Sequence, residues 1–268
     1  MSFIEILWRQ RPIKIEYQWV GVTSKEAPIL VFLHEGLGSV AMWRDFPEKL
    51  STHLGMRGLV YSRPGYGASS PKGRDEKWGL DFLHQQAQEV FPEVLSALNI
   101  HQPVDVLGHS DGGSIALLIA ALKPNLVKNL ILMSPHIYVE EITAENIYKA
   151  KVAYEQGDLK SKLSRFHEDV DSAFYAWNDV WLKPEFMQWN IERELALIHC
   201  PILAMQGQQD PYGSMSQIND IAKYVSQTKL VEIPNCGHSP HRDSPIIARD
   251  TIFNFIKQSP ENNSKKFE

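Results

Sequence analysis

The chain has 268 residues, 43% hydrophobic and 22% charged, with a formal net charge of −5. That apolar content supports a sizeable core and excludes disorder for most of the chain. The weak negative charge offers no field to attract nucleic acid, and no basic stripe interrupts it. At roughly 150 residues per domain, the length fits one large α/β unit with an insertion. The longest apolar run, 115–122, falls short of the roughly 20 residues that span a bilayer. Residues 1–11 lack the apolar block of a secretory signal, so a cytoplasmic location without membrane association is expected.

Residues 13–20 alternate, with Ile13, Ile15, Tyr17 and Trp19 on one side and Lys14, Glu16 and Gln18 on the other. The pattern predicts a half-exposed strand near a sheet edge. Runs 29–33, 59–61 and 104–107 are short and almost continuously apolar, as suits strands buried on both faces. Residues 83–98 read as a helix that Pro92 kinks or restarts. Residues 113–122 are apolar all round and stop before Pro124, which predicts a helix in the middle of the fold.

Runs 130–133, 202–205 and 230–233 continue the strand series. Between Pro135 and His199 the strand pattern stops, leaving polar helical segments rich in aromatics. Phe174, Trp177 and Trp181 fall at i, i+3 and i+7 there, on one helix face, while Asn178, Asp179 and Lys183 are expected in solvent. The polar tail, 259–268, is expected to fray. Strands alternating with helices predict a mostly parallel sheet with helices on both faces.

Two cysteines exclude a disulfide scaffold and a multi-cysteine zinc site. Cys200 precedes one strand and Cys236 follows the next, which places them roughly 20 Å apart at opposite sheet edges. The close pair His238 and His241 lies in a loop rather than on one helix face, so no metal is expected.

The chemistry concentrates at 104–113, where a buried strand runs into Gly108-His109-Ser110-Asp111-Gly112 and an apolar helix follows at once. A serine at so sharp a turn is pushed out with its hydroxyl exposed, at a helix N-terminus that favours developing negative charge. Flanking glycines let strand and helix approach closely. With this Gly-x-Ser-x-Gly in its strand-turn-helix context, the sequence resembles the α/β-hydrolase superfamily over nearly its whole length.

The resemblance implies an α/β-hydrolase fold with a core of 1–134 and 200–268 and a helical cap of 135–199. It also implies an acid and then a base after the nucleophile. Asp210 follows the strand at 202–205 and His238 the strand at 230–233, each at the sheet edge where sites form. Ser110, His238 and Asp210 are thus the expected nucleophile, base and orienting acid. His109 and His241 are competing bases.

Oxyanion donors are expected from the Asp111 backbone N–H and from the loop after 29–33. The family's usual His-Gly is His34-Glu35 here. Counting along the motif puts the donor at Gly36, with Glu35 and Leu37 open as neighbours, and Glu35 is expected to pair with a base or arginine. Glu35, Leu37, Trp177 and Trp181 are the expected substrate-binding residues, and Arg63 is read as structural.

The stretch 36–41 also fits Gly-x-Gly-x-x-Ala, a dinucleotide fingerprint. Two strands precede it, Pro47 follows soon after, and the serine machinery would be left unexplained. The lead reading is therefore a cofactor-free serine hydrolase acting on a small carboxylic ester or related acyl compound. The alternatives are a C–C bond hydrolase of an aromatic-degradation intermediate and a non-catalytic small-molecule receptor. A small-molecule partner is expected, and a homodimer is left open.

Overall fold

The computed structural model describes residues 1–73 and 76–259. Its strands are β1 (Ser2–Trp8), β2 (Arg11–Gly21), β3 (Ile29–Leu33), β4 (Arg57–Tyr61), β5 (Val104–His109), β6 (Val127–Met133), β7 (Ile202–Gly207) and β8 (Thr228–Ile233). They form one eight-stranded sheet in the order β1-β2-β4-β3-β5-β6-β7-β8. β2 pairs antiparallel with β1 and β4, and the remaining neighbours run parallel.

Helix α1 (Phe46–Leu54) follows β3, and α2 (Phe82–Gln85) and α3 (Phe91–Ala97) follow β4. α4 (Asp111–Leu122) follows β5 directly. Between β6 and β7 come α5 (Glu141–Gln156), α6 (Leu159–Leu163), α7 (Val170–Trp181) and α8 (Glu192–Leu195). α9 (Ser216–Tyr224) precedes β8, and α10 (Pro240–Asp243) and α11 (Pro245–Gln258) close the described chain.

The central strand β3 explains the layering. Its five residues are all buried, and successive side chains point to opposite faces. Ile29, Val31 and Leu33 join the cluster that includes α4 and α7, whereas Leu30 and Phe32 join the one that includes α1 and α11. The sheet therefore carries helices on both faces, as an α/β-hydrolase fold requires. Residues 135–199 contribute no strand to that sheet, and an isolated bridge between Tyr138 and Asn190 joins their two ends.

Several expectations need correcting. β1 was invisible to pattern reading because Phe3 and Leu7 face solvent beside the buried Ile6 and Trp8. Its hairpin turns at Arg9 and Gln10, both at positive φ (49° and 61°), without the glycine that usually signals such a turn. Glu16, on the polar side of β2, is 1% exposed. Its Oε2 accepts from Ser62 Oγ at 2.7 Å and the Ala68 N–H at 2.9 Å, which pays for that burial.

Pro92 behaves as expected: α3 restarts at Phe91 with Pro92 in its first turn, and a π-helical turn at Gln86–Val90 joins it to α2. Asn178 is fully buried, donating to the Ile147 carbonyl, and Lys183 donates to that of Trp78. β8 is the last strand of the sheet, so Leu230 remains 38% exposed. Ser259 is buried and donates to Asn129 Oδ1 at 2.8 Å rather than fraying; the rest of the tail lies outside the described residues.

Candidate active site

The C-terminal ends of β3, β5, β7 and β8 converge on one cavity of about 170 Å³. β5 delivers Ser110 in a left-handed conformation, φ 53°, held by its N–H bond to the Met133 carbonyl at 2.9 Å. The turn is feasible only because Gly108 and Gly112 flank it. A Cβ on Gly108 would collide with the Gly112 carbonyl, and one on Gly112 with that of Leu33. The Ser110 side chain lies at the N-terminus of α4, where unpaired N–H groups favour negative charge.

His238 Nε2 lies 2.9 Å from Ser110 Oγ. Its Nδ1 lies 2.8 and 2.9 Å from the two Asp210 carboxylate oxygens. A carboxylate only accepts, so Nδ1 carries the proton and Nε2 is left to accept from the serine hydroxyl. The Tyr212 N–H donates to Asp210 Oδ1 at 2.8 Å and fixes the carboxylate. Burial raises the proton affinity of Asp210, but the hydrogen bond and charge of His238 outweigh it and hold the carboxyl below its ordinary value.

Neither rival histidine reaches the serine. His109 turns away, its Nε2 donating to the His238 carbonyl at 2.7 Å. His241 packs against Trp43 and Phe46, with ring centroids 4.9 and 5.4 Å away. Burial, then the charge of His109, keeps it neutral far below the usual histidine range.

The loop after β3 is fixed from behind. His34 Nε2 accepts the Arg63 N–H at 3.0 Å, so its proton sits on Nδ1 and is donated to the Glu35 carbonyl at 2.7 Å. Arg63 Nη2 donates to the same carbonyl at 2.9 Å. In a trans peptide the next N–H points opposite to the C=O. Pinning the Glu35 carbonyl therefore turns the Gly36 N–H away from Arg63 and His34, on a residue that lines the cavity.

The Glu35 carboxylate is held 3.1 Å from Arg242 Nη2 and 3.5 Å from His109 Nδ1. Burial opposes its ionisation, yet His109 and Arg242 prevail and keep the carboxyl well below its ordinary value. Asp111 behaves oppositely: burial dominates, Arg63 and the Trp181 N–H only partly offset it, and the carboxyl rises to about 6.

Glu35, Gly36, Leu37, Asp111, Trp177 and Trp181 all line the cavity with Ser110 and His238. Pattern reading missed His136, Thr143, Tyr212 and Arg242, which line it too. His136 carried a usable signal, since it stands just beyond β6 at the same sheet edge. Burial, then the charge of His238, lowers it to about 3, so it faces the site as a neutral ring. Trp189 instead packs on Phe186, centroids 5.5 Å apart. The glycine-rich stretch at 36–41 runs into a three-residue 3-10 turn, Ala41–Trp43, and not into the longer helix a dinucleotide fingerprint opens. Among the described residues no cluster of three or more His, Cys, Asp or Glu is arranged to hold a metal ion. Among the same residues, no helix is long and apolar enough to cross a membrane.

A family model described as the alpha/beta hydrolase fold matches residues 28–176, more than half of the chain. The chain belongs to the alpha/beta hydrolase fold family. It is 30% identical to a monoglyceride lipase homolog of Monkeypox virus over 268 residues, covering 89% of this chain and 94% of that protein. It is 27% identical to the mouse (Mus musculus) serine hydrolase BPHL over 242 residues, 85% of this chain and 78% of the relative. A thermophilic esterase from Thermogutta terrifontis superposes with a TM-score of 0.76 at 16% identity, covering 96% of this chain and 99% of the esterase.

Proposed function

We propose that this protein is a serine hydrolase that cleaves small carboxylic esters through an acyl-enzyme on Ser110. The observation that carries the reading is the chain of short contacts from Ser110 Oγ through His238 to Asp210. In the first half-reaction Ser110 Oγ bonds to the ester carbonyl carbon while its proton passes to His238 Nε2. Asp210 stabilises the imidazolium, and the oxyanion is met by the backbone N–H groups of Gly36 and Asp111. As the tetrahedral intermediate collapses, the C–O bond to the alcohol breaks and His238 returns the proton to the leaving oxygen. Water then repeats the sequence on the acyl-enzyme, releasing the carboxylic acid and the free serine.

The cavity's size supports small substrates: at about 170 Å³ it is below the roughly 300–1,000 Å³ typical of pockets for drug-sized ligands. Residues 135–199 serve in this reading as a cap whose Trp177 and Trp181 close the cavity, restricting the pocket that the core chemistry would otherwise leave open.

The test is a fluorophosphonate probe followed by peptide mapping, beside turnover of esters of increasing acyl length and a meta-cleavage product. Labelling at Ser110, lost in Ser110→Ala, with turnover that falls as the acyl chain lengthens is the expected result. Labelling elsewhere sinks the nucleophile assignment. Turnover of the meta-cleavage product in place of every ester transfers the site to C–C bond hydrolysis. Ligand-induced stabilisation with no turnover at all makes the protein a receptor.

A further inference from the structure

Glu35 stands where the fold's usual glycine would leave no side chain, and its side chain is 17% exposed. That carboxylate meets two other loops of the site. On one oxygen it holds Arg242, four residues beyond His238, at 3.1 Å. The other oxygen faces His109 Nδ1, on the residue before Ser110, at 3.5 Å.

His109 completes a ring of contacts, because its Nε2–H is donated to the His238 carbonyl at 2.7 Å. Arg242 in turn donates to the Met42 carbonyl at 3.2 Å, which ties it to the segment beyond the Gly36 loop. Starting at Glu35, the ring runs through His109 to the His238 backbone, along the chain to Arg242, and back to Glu35. The segments it joins are those that carry Gly36, Ser110 and His238.

We propose that Glu35 is a positioning residue, its carboxylate holding the loops of Gly36, Ser110 and His238 in one catalytic geometry. The inference rests on the hydrolase reading given above. It assigns Glu35 no contact with substrate. The physical argument is leverage: Ser110, His238 and Gly36 sit on three separate loops, and chemistry requires their reacting groups to stay mutually placed within a fraction of an ångström. A displacement of about 1 Å can cost on the order of 100-fold in rate. A carboxylate is suited to the task because its two oxygens reach two segments at once: Oε1 accepts from Arg242, and Oε2 faces His109 Nδ1 at 3.5 Å.

The ring also explains why Arg242, whose side chain is 41% exposed, is held at the cavity rim instead of moving freely in solvent. Two acceptors on the β3 side fix one end of the guanidinium, Glu35 Oε1 and the Met42 carbonyl. The His238 loop is thereby clamped from both sides of the histidine, by His109 at its carbonyl and by Arg242 one helical turn later.

The test uses Glu35→Ala, Glu35→Gln, Arg242→Met and the double variant Glu35→Ala/Arg242→Met in the full chain. Steady-state kinetics on the best ester are run beside the rate of Ser110 labelling by a minimal fluorophosphonate, whose small body reports serine activation with little dependence on substrate contacts. Glu35→Ala is expected to lower kcat and the labelling rate about tenfold or more, with KM changed less than about threefold. Glu35→Gln, which keeps an acceptor for Arg242 and loses the charge facing His109, is expected to recover part of that loss. The double variant is expected to be no slower than Glu35→Ala alone, since both remove the same link.

A raised KM with kcat and labelling intact would make Glu35 a substrate ligand and overturn the proposal. Fully additive losses in the double variant would also overturn it, as would labelling rates equal to wild type. Should Glu35→Ala fail to fold, Arg242→Met and Glu35→Gln decide the matter: wild-type kcat and labelling in both overturn the proposal. If the wild-type chain is not labelled at Ser110, the hydrolase reading falls and this proposal with it, an outcome visible before any variant is compared.

Discussion

Arg63 Nη2 donates to the backbone carbonyl of Glu35 at 2.9 Å, from a guanidinium with no solvent exposure. The same nitrogen lies 3.8 Å from the carboxylate of Asp111. One buried cation thus sits behind both backbone segments that supply the proposed oxyanion donors, Gly36 and Asp111. It also lies over the Tyr66 ring at 4.7 Å, which compensates in part for lost hydration. The structural role expected of Arg63 thus consists in holding these two segments together.

Arg63→Met removes the donor that fixes the Glu35 carbonyl and leaves Asp111 without its cation. The expected outcome is a fall in kcat of about 100-fold, the size of losing one oxyanion donor. Arg63→Lys is expected to restore little of this, because a point charge on a flexible stem does not reproduce the planar guanidinium. Steady-state kinetics at a temperature well below the unfolding midpoint of each variant check the claim. Recovery of kcat to within about threefold of wild type in the lysine variant would refute the geometric account.

Gly36 is closed in by the insertion as well as by the core. A Cβ there would collide with the indole ring of Trp177. Gly36→Ala is therefore expected to displace α7 or the loop after β3, with a stability loss of about 1–3 kcal/mol and a larger proportional loss of kcat. In a Trp177→Ala background, which makes the missing room at its own cost in core packing, Gly36→Ala should cost much less of both. Denaturant unfolding and kinetics on the four members of the cycle measure the coupling. Independent effects would show that Trp177 is not what confines Gly36.

Glu16 makes a separate claim on stability. Its carboxylate accepts from Ser62 Oγ and the Ala68 N–H, while its own N–H donates to Ser69 Oγ at 2.9 Å. Glu16→Ala leaves two buried donors without an acceptor, which costs about 2–6 kcal/mol at 1–3 per orphaned group. Urea unfolding gives the number directly, and a loss below about 0.5 kcal/mol, the range of ordinary surface changes, would mean that the segment finds other partners.

The sheet and the Ser110–His238–Asp210 arrangement were legible because each rests on a local signal. β5 is an almost continuously apolar run, and the turn after it needs glycines that the sequence displays. β7 and β8 are each followed by a short loop with one conspicuous acid or base. Contacts between distant segments left no such mark. Glu16 sat on the polar side of an alternating strand, and only the fold brings Ser62 and Ala68 onto it. His136 and Tyr212 lie on two separate loops and Arg242 on α10, so their meeting in one cavity depends on strand order. The β1 hairpin was hidden because Arg9 and Gln10 adopt positive φ without being glycine.

Asp111 yields a pH-dependent prediction whose sign can be worked out. Burial raises its folded-state carboxyl from 3.8 to about 6, so the folded protein holds this proton more tightly than the unfolded chain does. A raised carboxyl favours the folded state fully at pH values below the unfolded pKa. That contribution is lost as pH rises from about 4 through about 6, and the carboxylate is a burden above that range. The full swing is at most about 3 kcal/mol, from roughly two pH units at about 1.4 kcal/mol each. Asp111→Asn removes this titration. It also leaves Arg63 without a counter-charge, but that cost does not vary with pH because the guanidinium stays charged throughout. The stability of wild type relative to Asp111→Asn is therefore expected to decline between pH 4 and pH 7 and to level off above it. Urea unfolding of both proteins across that range reads the difference. A difference that stays flat, or that rises with pH, would place the Asp111 carboxyl at or below its ordinary value and make its pairing with Arg63 stronger than its burial.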